Sequence, residues 1–66
     1  MTISLNGEPV DARGAKTVAE LVHAYKLPPQ AVLIEYNGLA LLRHEWMQKA
    51  LTDGDKIEFI RVVAGG

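Results

Sequence analysis

The residues with the plainest chemical use stand at the end of the 66-residue chain. There Arg61-Val62-Val63-Ala64-Gly65-Gly66 runs out of a strand-like segment and stops on two glycines. Glycine has no Cβ, so a Gly-Gly tail can thread a channel too narrow for any other residue and lay its backbone against a ligand. The reactive group of such a tail is the carboxylate of Gly66 itself. Fixing each tail residue costs about 1–2 kcal/mol of backbone entropy, so a partner that uses the tail must also grip the folded body. The plain alternative is a frayed terminus, since chain ends are commonly disordered.

Other chemistry is hard to assemble. The chain has no cysteine, which excludes disulfides and thiolate metal sites. If the protein handles sulfur, the C-terminal carbonyl is the covalent place left for it. His23 and His44 are the only imidazoles, and two isolated histidines without a carboxylate cluster make no metal site and no catalytic pair. Ser4 is the only serine and lies inside a strand pattern, where no nucleophilic triad can be built around it. Gly65-Gly66 is followed by no helix and so is not a phosphate loop. The reading is therefore of a chain that is not itself an enzyme and binds no metal or cofactor.

Composition narrows the partners. A net charge of −1 argues against nucleic acid or an anionic membrane as the main one. The 48% hydrophobic content is that of a folded domain. No apolar run approaches the ~20 residues of a membrane span. Met1-Thr2-Ile3 shows no signal-peptide pattern, so the expected location is the cytoplasm.

The elements that must position the tail follow in order. Thr2-Ile3-Ser4-Leu5-Asn6 alternates polar and apolar as a half-buried strand does. Asn6-Gly7 is the preferred pair for a type I′ hairpin turn. Glu8 to Ala12 returns as a second strand, and Pro9 predicts that it lies at a sheet edge. Thr17 caps a helix, with Glu20 completing a capping box. Val18, Leu21, Val22 and Tyr25 form its apolar stripe, and Pro28-Pro29 is expected to close it. Ala31 to Tyr36 is a third strand, Asn37-Gly38 a second turn, and Leu39 to Leu42 a short fourth strand. Arg43 to Ala50 reads as a short helical segment. Trp46, Met47 and Leu51 are expected to plug the open end of the sheet, with Arg43 laying its stem along Trp46. Asp53-Gly54-Asp55 turns into the last strand, Lys56 to Val63.

The parity of that strand is informative. Ile57 and Phe59 share one face; Glu58, Ile60 and Val62 fall on the other. An unbroken pleat leaves Ile60 and Val62 toward solvent just before the tail, whereas a β-bulge would reset the register and bury them. The order β-β-α-β-β-(short helix)-β predicts an α+β fold, a mixed sheet packed on one main helix. The crossover rule favours adjacent, parallel first and last strands. That is the β-grasp, or ubiquitin-like, arrangement, as one domain over residues 1–66 with a flexible tail at 64–66.

Several stretches together resemble the ThiS family of small sulfur carriers, within the wider MoaD/ThiS group. They are Asn6-Gly7, Thr17-Val18-Ala19-Glu20-Leu21, Asn37-Gly38 with Arg43-His44-Glu45-Trp46, Leu51-Thr52-Asp53-Gly54-Asp55-Lys56-Ile57-Glu58, and the closing Val63-Ala64-Gly65-Gly66. The resemblance implies a protein substrate. A ThiF-type adenylyltransferase, using ATP and Mg²⁺, would convert the Gly66 carboxylate to an acyl-adenylate. A sulfur-relay donor would then leave a thiocarboxylate on Gly66, and thiazole synthase (ThiG) would take that sulfur into the thiazole of thiamine. The resemblance also implies that Ala64, Gly65 and Gly66 thread the partner active sites. Docking would use the open sheet face, with Ile60, Val62, Leu41 and Leu33 as candidates. A carrier for molybdopterin or another pathway shares the tail and its activation. A ubiquitin-like modifier joined to lysines through Gly66 and an interaction domain with an inert tail are the readings from other classes.

Overall fold

The computed structural model describes residues 1–62. Val63 and the Ala64, Gly65 and Gly66 of the expected tail lie outside the described residues. Two Asn-Gly pairs build the hairpins. Asn6-Gly7 joins β1 (Thr2–Leu5) to β2 (Glu8–Asp11), and Asn37-Gly38 joins β3 (Val32–Tyr36) to β4 (Leu39–Leu41). Both residues of each pair have positive φ, 52° and 85° in the first turn and 51° and 86° in the second. This is the type I′ geometry whose twist matches the flanking strands.

β5 (Lys56–Arg61) enters between the two hairpins, parallel to β1 and antiparallel to β3. The sheet order is β2-β1-β5-β3-β4. The strand carrying Pro9 is an edge, as its missing N–H requires. Ile3, Leu5, Ile34 and Ile57 of the sheet form the core with Val18, Leu21 and Val22 of α1 (Val18–Ala24). The expected β-grasp arrangement is the observed one.

The start of α1 matches its sequence signals with one shift. Thr17 Oγ1 accepts from the Glu20 N–H at 3.1 Å, while Glu20 Oε1 accepts from the N–H of Lys16, at 2.8 Å, rather than from that of Thr17. The helix stops at Ala24, well short of Pro28, which corrects the expected terminus. The stop is a Schellman motif. The Leu27 N–H donates to Val22 O at 2.9 Å and the Lys26 N–H to His23 O at 3.0 Å. Lys26 takes the left-handed position, φ 55°, that glycine usually fills. Lys26→Gly is therefore expected to stabilise the domain by about 1 kcal/mol, since a left-handed non-glycine residue carries a penalty of that order. For a domain of this size Tm should rise by roughly 4–8 °C; a calorimetric Tm no higher than wild type would contradict the strain argument.

The short helical segment expected over 43–50 is present but covers only its first part. Arg43–Glu45 is a single 3-10 turn, and Ala50 already forms an antiparallel bridge with Thr17. The cause lies in α1. Its first N–H groups have no partner within the helix, and Val18 and Ala19 donate instead to Lys49 O and Trp46 O, both at 3.0 Å. Trp46 and Leu51 are buried as expected, but Met47 is 78% exposed and plugs nothing.

One polar cluster ties the base of the sheet. Asp55 is buried, and its carboxylate accepts from Thr52 N–H and Tyr36 O–H at 2.8 Å, Thr52 Oγ1 at 2.9 Å and Asn37 Nδ2 at 3.2 Å. Burial opposes its ionisation, but hydrogen bonds from Thr52, Asn37 and Tyr36 outweigh burial and hold the carboxyl below its ordinary range. Donating that hydrogen bond to the Asp55 carboxylate, in turn, pushes the Tyr36 phenol up.

Candidate functional site

Alternation along a strand sends every second side chain to the face away from α1. On that outer face Leu33 stands opposite Ile60, and Glu35 lies between Glu58 on one neighbour and Ala40 on the other. The β3–β5 ladder is unbroken from Tyr36↔Ile57 to Val32↔Arg61. The pleat is therefore straight and no bulge resets the register. Ile57 is buried and Phe59 half-buried beneath, while Ile60 is 51%, Val62 47% and Leu33 58% exposed. Ile60, Val62 and Leu33 lie where the docking expectation needs them.

Leu41 does not. It stands opposite the buried Ile34 and packs, half-buried, against the core. The residue that belongs in its place is Leu42. Carrying the β3–β4 register one pair further sets Leu42 opposite Leu33 on the outer face, and Leu42 is 61% exposed. The signal was in the sequence. A two-residue Asn37-Gly38 turn pairs Tyr36 with Leu39, and counting back from it separates Leu41 from Leu42 by face.

Leu42, Leu33, Ile60 and Val62 thus form an apolar patch across three strands. The Val62 N–H donates to Ala31 O at 2.7 Å, so the chain is still held to the sheet beside the patch at the last described residue. Beside the patch, the Glu35 and Glu58 carboxylates share a cross-strand pair. Like charges directly opposite destabilise a sheet, and a cation brought by a partner would reverse the sign of that contribution.

The other chemistry-bearing residues are dispersed. His23 lies exposed on α1, His44 lies exposed in the 3-10 turn, and Ser4 is half-buried in β1. Among the described residues no group of three or more His, Cys, Asp or Glu side chains could hold a metal ion. None of their helices is long and apolar enough to cross a membrane. The described body thus presents an exposed apolar patch that reaches Val62, the last described residue.

Comparison with known proteins agrees with this geometry. The model of the ThiS family matches residues 3–66. The sulfur carrier protein ThiS of Escherichia coli is 29% identical, with both chains covered in full. A thiazole synthase of Magnetococcus marinus is 32% identical over all 66 residues, and the chain spans 20% of that relative's length. The crystal structure of a thiamine biosynthesis protein (ThiS) from Geobacter metallireducens superposes with a TM-score of 0.85 at 35% identity, again over both full chains.

Proposed function

The chain belongs to the ThiS family, and from that membership we propose that it carries sulfur on the carbonyl of Gly66 for making the thiazole of thiamine. The observation that carries this reading is that the family match runs to residue 66. Ala64-Gly65-Gly66 are thus part of the family's pattern and not an appendage to it.

The chemistry starts from a poor electrophile. A carboxylate has no leaving group, so a ThiF-type adenylyltransferase joins the Gly66 carboxylate to AMP from ATP, with Mg²⁺ neutralising the phosphates and pyrophosphate departing. A cysteine persulfide on a relay donor attacks the acyl-adenylate and expels AMP. A second thiol then cleaves the resulting acyl disulfide, forming a disulfide with the donor and freeing the Gly66 thiocarboxylate. The nucleotide and metal bind the partner, and this chain is the substrate, working in the cytoplasm. Thiazole synthase takes the sulfur. The Magnetococcus relative called a thiazole synthase contains a stretch like the whole of this chain, which supports that acceptor.

Leu33, Leu42, Ile60 and Val62 dock the body, and the facing Glu35 and Glu58 accept a cationic side chain from the partner. The small tail then reaches each active site in turn.

Incubation with the adenylyltransferase, ATP and a persulfide source is expected to raise the intact mass by the exchange of one oxygen for one sulfur, located on Gly66 by fragmentation. Gly66→Ala adds one methyl to the threaded end and should slow that conversion at least about tenfold, the effect of a little over 1 kcal/mol of overpacking. An unchanged rate would remove the threading argument; no mass gain with an active partner enzyme would remove the carrier reading.

A further inference from the structure

In the helix layer, on the side of the sheet away from the docking patch, a groove of about 370 Å³ runs between α1 and the Arg43–Glu45 turn. That volume is of ligand-site size, roughly 300 Å³ and upward. Val22, Leu27 and the buried indole of Trp46 line it, and the exposed Met47 thioether forms a wall that can repack around different shapes. Its charged lining residues are Lys26 and Arg43, joined by the imidazole of His23, and no carboxylate lines it. This cluster of one sign runs against the chain's net charge of −1. Lys26 is held there in the left-handed conformation that glycine adopts more cheaply. Beneath, Trp46 Nε1 is buried without an acceptor.

We propose that this groove docks an acidic peptide segment of a partner protein. An apolar side chain of the segment seats on Trp46 and Met47, and its carboxylates pair with Lys26 and Arg43. Charge complementarity chooses the sign of the occupant and the apolar lining chooses an anchored peptide over a small free anion. Nucleic acid fits poorly, because two cations on a chain of net charge −1 make no extended basic stripe for a phosphate backbone. Since the groove and the Leu33–Ile60 patch lie on opposite sides of the sheet, a partner can hold the carrier here while the patch is engaged elsewhere. The inference does not depend on Gly66 chemistry.

The test titrates the full chain at low salt with the peptide acetyl-Glu-Glu-Leu-Phe-Glu-Asp amide, following backbone amide shifts and the emission of Trp46, the single tryptophan. Saturable shifts centred on His23, Lys26, Arg43 and Met47 are expected. The paired substitutions Lys26→Glu and Arg43→Glu should weaken binding about tenfold or more while amide dispersion stays that of a folded domain. Absence of binding, equal binding of the Gln/Asn version of the peptide, or shifts centred on Leu33 and Ile60 would each overturn the proposal. Much tighter binding to a chain cut after Val62 would overturn it too, by making the chain's own tail the occupant.

Discussion

Asp55→Ala is expected to lower the stability of the domain by about 3 kcal/mol, the scale for emptying a buried, multiply hydrogen-bonded charged site. The loss is large because the Asp55 carboxylate is the common acceptor for Tyr36, Asn37 and Thr52. Removing it takes the shared acceptor from donors on β3, the β3–β4 turn and the turn before β5 at one stroke. A 66-residue domain has roughly 3–10 kcal/mol in total at the usual stability per residue, so much of the variant should be unfolded at moderate temperature. The expected fall in Tm is about 12–24 °C, at roughly 4–8 °C per kcal/mol. The folded-state pKa of Asp55 lies below its ordinary value. The stabilisation is therefore complete above the unfolded pKa of about 3.9 and disappears as pH falls from there through the folded pKa. Urea midpoints should drop in that acid window for the wild type and much less for Asp55→Asn. Equal acid slopes in the two proteins, or an Asp55→Ala midpoint near wild type, would remove this cluster from the account of stability.

Ile60→Asp is expected to weaken binding of the adenylyltransferase by about 2–3 kcal/mol, or roughly 30–150-fold in Kd, as loss of a central apolar anchor does. A carboxylate there would face apolar partner surface beside Leu33, with Glu35 and Glu58 adding repulsion two pairs along on the same face. Stability should fall by no more than about 1 kcal/mol, the spread of strand preference at an exposed site, because Ile60 is 51% exposed. Comparing two neighbours tests the assignment of faces. Leu42→Asp should behave like Ile60→Asp, whereas Leu41→Asp should destabilise the fold, because Leu41 packs against the core. Calorimetry of binding and of unfolding on the three variants separates the effects. If Leu41→Asp alone impaired binding while the domain stayed folded, the patch would have to be redrawn.

Local chemistry determined much of this protein before any chain folded. Two Asn-Gly pairs dictated both hairpins, because few other residues take positive φ twice in succession. Thr17 and Glu20 announced the helix, and Pro9 announced an edge strand. The terminal glycines named the only place where a cysteine-free chain could hold reactive sulfur. Such signals are legible because each acts within a few residues along the chain.

Tertiary structure decided what depended on distant partners. The parity of β5 allowed either a bulge or an exposed Ile60; pairing with β3 in an unbroken ladder settled it. The 43–50 segment had helical composition, but the unpaired N–H groups of α1 took the carbonyls of Trp46 and Lys49, and the regular helix ends at Glu45. The helix stopped at Ala24 instead of at the prolines because Lys26 could turn left-handed and close a Schellman motif. The basic groove is not visible in the sequence at all. Its cations are Lys26, just past the end of α1, and Arg43, in the turn after β4, which only the packed helix layer brings together.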